Sequence, residues 1–472
     1  MAQNIIGRHY ERQILEECVS SSEAEFVAVY GRRRVGKTFL VRQHFDGRLA
    51  FYATGILDGS RSEQLSAFHQ QLELASGRHY PHPSDWMDAF GQLRDYLTTL
   101  PDGRIVVFLD ELPWFDTRGA RFKQAFSYFW NAWGSTCDRL TLIVCGSATT
   151  WMLDELLGSR GGLHNRVTRS IHLAPFTLAE TEEYLQSRGI VWSRYQIANV
   201  YMAVGGTPYY LSKIRRGQSV PQAIDELFFS PSAELRQEFT WLFRSLFGRA
   251  DVYQDVVRAL SHKAKGLTRL ELQQAVRIGD GGTLTTVLRN LENCDFIRRY
   301  NAFGKKERDA MYQLTDLFTL FYLNFVQGTG RDDTMKWTAA IDSPHHRAWS
   351  GYAFEMVSLL HVEQIKRRLG IAGVQTSVSS WTGDGAQIDL VIDRRDQTVN
   401  LCEIKYSLAP FVLTEAYLLR LRERLEMFRA QTRTRKALHL TMVTTYGLKP
   451  NTYSGEVQNV VTLDDLFAAE HG

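Results

Sequence analysis

The sequence predicts an α/β protein whose N-terminal part is a parallel sheet covered by helices on both faces. Over residues 1–175, short apolar runs alternate with helical patterns, as in sheets whose strands are buried. A glycine-rich loop joins the first run to a helical pattern, and a later run ends in two acidic residues. The apolar runs are Phe26–Tyr30, Leu49–Ala53, Ile105–Leu109, Leu142–Cys145 and Ser170–Leu173.

Length and composition indicate a globular protein of several domains. The 472 residues suggest about three domains, with 44% hydrophobic and 23% charged residues. Lys+Arg 55 against Asp+Glu 52 gives a net charge of +3, too balanced to indicate nucleic acid by itself. The five cysteines are scattered, which predicts neither a disulfide framework nor a zinc site. With no signal-peptide pattern and no membrane-length apolar run, we expect a cytoplasmic protein.

The glycine-rich loop predicts a nucleotide site. Gly31 to Thr38 match the pattern G-x-x-x-x-G-K-[ST] between an apolar strand and a helix. The loop N–H groups and the helix N-terminus would bind a polyphosphate, Lys37 would reach its β- and γ-phosphates, and Thr38 would ligate Mg²⁺. The expected cofactors are ATP and Mg²⁺. The residues predicted to line the phosphates are Gly31, Arg34, Val35, Gly36, Lys37, Thr38 and Phe39.

Two further strands end in polar residues that fit this site. Asp110 follows a buried strand and is predicted to hold Mg²⁺, through water or by hydrogen-bonding Thr38. Glu111 would orient or deprotonate the attacking water. Ser147 ends the next strand, where it either senses the γ-phosphate or is a satisfied serine in a turn.

Several segments in a fixed order resemble one family. They are Gly7-Arg8-His-Tyr-Glu11, Gly31–Thr38, Asp110-Glu111, Cys145-Gly-Ser147, Asn165-Arg166 and Gly205-Gly-Thr-Pro208. Together they resemble the archaeal-type ATPase family within the AAA+/STAND group of P-loop NTPases. The resemblance implies that Gly7 and Arg8 lie along the adenine and that Pro208 closes over the nucleotide from a helical lid, residues 176–249. Arg166 would contact a γ-phosphate in the same or a neighbouring subunit of a homo-oligomer, or bridge carboxylates at the surface.

Residues 250–335 show helical patterns followed by a hairpin. They resemble the winged helix-turn-helix that follows this ATPase in the same family, which implies DNA binding or a docking role. The helix Thr283–Asn293 would face DNA, and the hairpin turn would meet the backbone or the minor groove. The residues concerned are Arg277, Thr283, Thr285, Thr286 and Arg289 on the helix side and Lys305, Lys306 and Arg308 in the wing.

The C-terminal unit, residues 346–472, contains a predicted hairpin with charged residues on one face. The strands on either side of a turn centred on position 396 place Asp389 opposite Glu403. Since side chains alternate along a strand, Lys405 shares the face of Glu403. Such a cluster is costly unless it binds a cation. We therefore predict Mg²⁺ on Asp389, Glu403 and the Ile404 carbonyl, with Lys405 positioning a water or shielding a phosphate.

This hairpin resembles the core of PD-(D/E)XK nucleases, as in the C-terminal domain that accompanies archaeal-type ATPases. Glu355, in Gly351-Tyr-Ala-Phe-Glu355, matches the glutamate on the first helix of that family. Gln387 is neutral where relatives often carry an acid, which weakens a second metal site. The alternative is a silent fold that only binds DNA or a partner.

Three functions are consistent with the sequence. The first is an ATPase switch that controls a Mg²⁺-dependent endonuclease acting on DNA. The second is a regulatory ATPase whose inactive nuclease-like unit binds DNA or protein, and the third is an assembly ATPase without nucleic acid. The combination of Glu355, Asp389, Glu403 and Lys405 favours the first.

Overall fold

The computed structural model describes residues 4–158, 163, 165–277, 282–305, 310–329, 337–383 and 385–469. The chain divides into two compact units, Met1–Ala174 and Pro175–Gly472, and each is described by itself. None of the helices in the described part of the chain has the length and apolar content needed to cross a membrane.

The first unit is a parallel α/β sheet, as predicted. Its described strands are β1 (Glu25–Tyr30), β2 (Leu49–Thr54), β3 (Ile105–Asp110), β4 (Leu140–Gly146) and β5 (Arg169–His172). They lie in the order β2-β3-β4-β1-β5, and every pairing is parallel. Its described helices are α1 (His9–Ser20), α2 (Lys37–His44), α3 (Arg61–Ser76), α4 (Trp86–Thr98), α5 (Leu112–Phe115), α6 (Phe122–Ala132) and α7 (Thr149–Trp151).

Helices cover both faces of this sheet. Phe26 and Ala28 of β1 pack with α3, α4 and α6, whereas Val27 and Val29 pack with α1 and α2. The central strands are buried along their length, which explains why they are apolar at every position rather than at alternate ones. Because the strands are parallel, the residues that follow β1, β3 and β4 meet at one edge of the sheet.

The second unit contains helices and two sheets. Its described helices are α8 (Leu178–Ser187), α9 (Arg194–Val204), α10 (Pro208–Leu211), α11 (Val220–Ile224), α12 (Glu238–Leu246), α13 (Ala250–Ser261), α14 (Arg269–Val276), α15 (Gly282–Asn293), α16 (Leu317–Phe321), α17 (Trp337–Ala340), α18 (Pro344–Leu360), α19 (Val362–Arg368) and α20 (Glu415–Thr432). Its described strands are β6 (Leu267–Thr268), β7 (Ile297–Tyr300), β8 (Met311–Leu314), β9 (Thr376–Gly383), β10 (Ala386–Arg394), β11 (Thr398–Lys405), β12 (Ala437–Thr444) and β13 (Asn459–Thr462).

The smaller sheet is antiparallel, in the order β6-β8-β7. The helix and hairpin expected in this segment are present as α15 and β7–β8, while the winged-helix interpretation stays a prediction. Just beyond β7, Ala302 bridges Ser380 of β9, and the Phe303 N–H donates to the Ser380 carbonyl at 2.7 Å. The Phe303 ring lies 5.0 Å from the Phe428 ring of α20. The start of the predicted wing is thus fixed to the C-terminal sheet.

The larger sheet is mixed, in the order β13-β12-β11-β10-β9. Strands β9, β10 and β11 pair antiparallel, whereas β11, β12 and β13 pair parallel. Leu390 pairs with Cys402 and Asp393 with Val399, which is the register predicted by a turn centred on position 396. A parallel neighbour needs a crossover connection, and α20 supplies it between β11 and β12.

One hydrophobic core runs through this second unit, from Phe176 to Phe467. Helix α9 packs on α16 and α18, and its side chains reach the C-terminal sheet. The Tyr406 hydroxyl, one residue past β11, lies 2.6 Å from that of Tyr195 and donates to Asn199 at 2.9 Å. The predicted helical lid therefore shares its core with the C-terminal unit.

A close backbone approach explains one glycine of the Gly205-Gly-Thr-Pro208 segment. The Phe176 N–H donates to the Gly206 carbonyl at 2.7 Å. A Cβ atom at Gly206 would lie 1.8 Å from the Phe176 carbonyl oxygen. Only glycine fits here without a shift of the backbone.

We expect Gly206→Ala to destabilise the second unit by about 1–3 kcal/mol, since the added methyl group overpacks against a rigid backbone. Calorimetric unfolding of the full chain would measure it. Gly351→Ala is the matched control, because Gly351 lies inside α18 with open space at its Cβ position, and should raise stability by about 0.5–1 kcal/mol. Equal unfolding midpoints for the two variants would contradict the prediction.

Candidate functional sites

The glycine loop of the first unit has the backbone that its sequence predicts. Gly31 has a φ of 144°, and a Cβ there would lie 2.4 Å from the Leu173 carbonyl oxygen. Gly36 caps the N-terminus of α2 with a φ of 94°. Arg34, also on the loop, has a φ of 74°. Positive φ angles at Gly31, Arg34 and Gly36 curl the loop, and a curled backbone of this kind lets N–H groups converge in phosphate-binding loops.

Lys37 reaches back over the loop. The side chain is buried, and its Nζ donates to the carbonyls of Gly31 at 2.8 Å and Arg32 at 3.0 Å. The ammonium charge is therefore held at the loop where the sequence predicts the phosphates.

Asp110 is the meeting point of the loop helix and two strands. The Thr38 hydroxyl donates to both carboxylate oxygens, at 3.1 and 2.9 Å. The Cys145 thiol donates to Oδ1 at 2.6 Å, and the Glu111 N–H donates to the same oxygen at 3.0 Å. Burial raises the pKa of Cys145, so that it stays a thiol and a donor. The Asp110 carboxylate is thus oriented by hydrogen bonds from three neighbouring donors.

Glu111 and Ser147 form a pair at the same edge of the sheet. Glu111 adopts a left-handed backbone conformation, with φ 46° and ψ 51°. Its Oε2 accepts from the Ser147 N–H at 2.9 Å and from the Ser147 hydroxyl at 2.8 Å. The serine is therefore satisfied, and its partner is the predicted catalytic carboxylate.

Arg8 binds the glycine loop from the N-terminal segment. It follows Gly7, and both residues have positive φ angles. The buried guanidinium donates to the Ala174 carbonyl at 2.7 Å and to the Val35 carbonyl at 3.4 Å. Arg8 also forms an ion pair with Glu11 at 3.5 Å. These contacts place Arg8 beside the loop, as the predicted role near a nucleotide requires.

The other predicted nucleotide-site residues are Phe39, Arg166 and Pro208. Phe39 is 41% exposed on α2, and Arg166 is exposed in the segment before β5. The Arg166 N–H donates to the Leu163 carbonyl at 3.0 Å. Pro208 is the first residue of α10 in the second unit. The roles of Arg166 and Pro208 toward a nucleotide stay predictions.

The C-terminal charged residues come together around the hairpin. Glu355 lies on α18, Asp389 on β10, and Glu403 and Lys405 on β11. Asp389 Oδ2 accepts from the Ile404 N–H at 3.2 Å, so the two strands are linked at the predicted site.

Glu403 is the most heavily bonded of these carboxylates. It is 4% exposed, and Lys405 Nζ lies 2.8 Å from its Oε1. The Tyr417 hydroxyl donates to Oε1 at 2.5 Å, and Arg424 Nη1 donates to Oε2 at 2.7 Å. Sequence reasoning missed Tyr417 and Arg424. Their spacing of seven residues puts both on one face of α20. This spacing is the feature of the sequence that indicates they lie on the same side of the helix.

The acidic groups of the cluster titrate differently from one another. Burial, and then the charge of Asp389, raises the pKa of Glu355 to about 8. Burial, and then Glu403, raises the pKa of Asp389 to about 6. Burial also acts to raise the pKa of Glu403, but Lys405, Tyr417 and Arg424 outweigh it, and the pKa is lowered. As pH rises, Glu403 therefore ionises first and Glu355 last.

A cation from the smaller sheet also acts on this cluster. Arg298 of β7 donates to Gln313 Oε1 at 2.7 Å, and its guanidinium lies 4.6 Å from the centre of the Tyr300 ring. Its charge partly offsets the rise in the pKa of Glu355. Sequence reasoning missed Arg298, which no local pattern connects with Glu355.

The predicted DNA-facing side chains of α15 lie on its exposed face. Buried leucine and valine side chains occupy the opposite face. The exposed residues are Arg277, Thr283, Thr285, Thr286, Arg289 and, beyond β7, Lys305. Lys306 and Arg308 lie outside the described residues.

Comparison with known proteins concerns mainly the nucleotide site. Residues 6–214 match the family model of an ATPase domain predominantly from Archaea. An uncharacterized protein of Methanocaldococcus jannaschii is 21% identical over 408 residues, which cover 85% of this chain and 87% of that protein. This share is larger than residues 6–214 could supply, so the similarity extends beyond the ATPase domain.

A solved structure agrees with the fold. A Walker-type ATPase of Pyrococcus abyssi superposes with a TM-score of 0.51 at 18% sequence identity, covering 68% of this chain and 96% of that one. The parallel sheet of the first unit is consistent with this match. Residues 6–214 thus have the sequence pattern and the fold of a P-loop ATPase domain of the type found predominantly in Archaea.

Proposed function

We propose that this ATPase controls a Mg²⁺-dependent endonuclease site that acts on DNA. The observation that carries the proposal is the convergence of Asp389, Glu403 and Lys405 on adjacent strands of the C-terminal sheet, with Glu355 beside them. Burying carboxylates that raise each other's pKa lowers the stability of the fold, so such a cluster favours a functional role over a purely structural one.

In the ATPase site the residues present fit Mg²⁺ and a nucleoside triphosphate. Thr38 and Asp110 supply hard oxygen ligands 2.9 Å apart, and Lys37 supplies a cation on the loop. Bound Mg²⁺ would neutralise charge on the β- and γ-phosphates. Glu111, which accepts a hydrogen bond from Ser147, would orient the attacking water.

The C-terminal residues fit Mg²⁺ by ligand type. Within the described residues no group of three or more His, Cys, Asp or Glu is arranged to hold a metal ion. Mg²⁺ keeps several waters and is commonly bound by one or two carboxylates with substrate phosphates, which Asp389 and Glu403 could provide. Bound Mg²⁺ would activate a water and stabilise charge on a phosphodiester. Lys405 would then position the water or bind the phosphate.

The exposed face of α15 supports DNA as the substrate. Its threonines and Arg289 are residue types that contact phosphates and base edges. A second function is supported by the ion pairs of Glu403 with Lys405 and Arg424. Since those cations neutralise the carboxylate, the unit could instead bind DNA or a partner without cutting, under control of the ATPase.

Lys37→Ala should weaken ATP binding by about 100-fold, because a charged contact with the phosphates is lost. Titration with a fluorescent ATP analogue measures this. Lys405→Ala is the matched control and should bind ATP like the wild type. Loss of nucleotide binding in Lys405→Ala would contradict the assignment of separate sites.

Asp389→Asn should reduce Mg²⁺-dependent cleavage of plasmid and single-stranded DNA at least about 100-fold, since one metal ligand loses its charge. Cleavage should be assayed with and without ATP. Asp393→Asn is the control, because Asp393 lies on the same strand but pairs with Lys436 at 2.6 Å. A wild type that does not cut, or an Asp389→Asn variant that cuts as before, would rule out the nuclease assignment.

Glu355 should make the protein less stable as pH rises. Its folded pKa of about 8 exceeds the ordinary 4.5, so the folded state binds more protons between these values and stability falls across that window. In chelator, the wild type should lose on the order of 2 kcal/mol relative to Glu355→Gln between pH 5 and 8. Melting temperatures of both proteins test this. Both proteins contain His361, whose pKa is lowered by burial to about 4. The difference between their pH profiles therefore reports on Glu355. Parallel pH profiles would contradict it.

A further inference from the structure

We propose that Arg424 is a DNA-phosphate-binding residue of the C-terminal site, and that a divalent cation releases it from Glu403. The inference rests on the proposed nuclease function. It adds a residue that sequence reasoning did not find, and it names the phosphodiester group as its ligand.

The first step concerns the charge balance at Glu403. One carboxylate, 4% exposed, is bonded to two cations and a hydroxyl: Lys405 and Tyr417 at Oε1, and Arg424 at Oε2. Two positive charges exceed the single negative charge of Glu403. This arrangement can therefore give up one cation without leaving the buried carboxylate unpaired.

The second step concerns what a divalent cation does to these contacts. A cation held by Asp389 and Glu403 needs carboxylate lone pairs that now accept from Arg424 and Lys405. It also repels both positive side chains at short range. Tyr417 is neutral, so it can keep its hydrogen bond and hold Glu403 in place.

The third step identifies Arg424 as the group that binds phosphate after this exchange. Its side chain is 29% exposed, whereas Glu403 is almost fully buried, so the guanidinium can turn toward solvent while α20 keeps it near the site. A guanidinium presents a planar fork of donors that matches phosphate oxygens in a bidentate way. The anion that a DNA substrate brings to this site is a phosphodiester.

Helix α20 provides a matched control. Arg422 lies two residues away and pairs with Glu456 at 2.7 Å on the exposed side of the helix. The two arginines lie on the same helix and each pairs with a glutamate. Only Arg424 contacts a predicted metal ligand. General electrostatic attraction of α20 for DNA would affect both alike.

The test is DNA binding by the full chain, followed by fluorescence anisotropy of a labelled duplex, in EDTA and in Ca²⁺. Wild-type affinity should be higher in Ca²⁺. Arg424→Gln should bind about tenfold more weakly than wild type in Ca²⁺, with a salt-dependence slope smaller by about one. In EDTA the two should agree within about twofold. Arg422→Gln should behave as wild type in both, and Arg424→Lys should regain part of the lost affinity.

Three results would overturn the inference: wild-type affinity that is equal in Ca²⁺ and EDTA, equal behaviour of Arg424→Gln and Arg422→Gln, or an Arg424→Gln defect that is the same in EDTA. A calorimetric unfolding midpoint close to that of the wild type establishes that each variant is folded, and Arg424→Lys keeps the test decisive if Arg424→Gln is unstable. The outcome is separate from the proposed function, because a wild type that cuts no DNA in Mg²⁺ refutes the nuclease while Ca²⁺-dependent binding still decides the role of Arg424.

Discussion

The nucleotide site depends on the bonds that converge on the Asp110 carboxylate. They join the helix after the glycine loop, through Thr38, to β4, through Cys145. In the sheet order, β4 lies between β3, which ends in Asp110, and β1, which precedes the glycine loop. Cys145 therefore contacts Asp110 from the strand that separates the acid from the loop. Because side chains alternate, a one-residue shift of β4 would turn Cys145 to the other face and remove this bridge. The fold thus fixes the alignment that the loop chemistry needs.

The two acidic sites are held in opposite ways. Asp110 receives hydrogen bonds from neutral donors, which orient the carboxylate. Glu403 instead bonds to Lys405 and Arg424, which cancel its charge. If Mg²⁺ binds as proposed, the ATPase site would receive it without breaking an ion pair, whereas at the C-terminal site Arg424 or Lys405 would first have to leave Glu403.

Local patterns predicted the glycine loop, the parallel sheet of the first unit and the register of the β10–β11 hairpin. Each of these depends on residues close in sequence or on simple alternation. The partners Tyr417, Arg424 and Arg298 were missed, because long-range packing decides which helix face or strand meets Glu403 and Glu355. The parallel pairing of β11 with β12 has no local signal, although it is what requires the crossover helix α20. Phe303, at the base of the hairpin turn, packs on Phe428, a contact that no local pattern indicates.

The continuous core of the second unit limits where this protein can be divided into fragments that fold. The matched ATPase domain ends at residue 214, within a core that extends to Phe467. A fragment cut there would keep α9 but lose α16, α18 and the Tyr406 hydroxyl that pack on it. Such a fragment would expose the apolar faces of its last helices to water and would tend to aggregate. Transplanting the ATPase part into another protein would therefore require a new partner surface for the lid helices. The domain matched by sequence is thus shorter than the length of chain that shares one hydrophobic core.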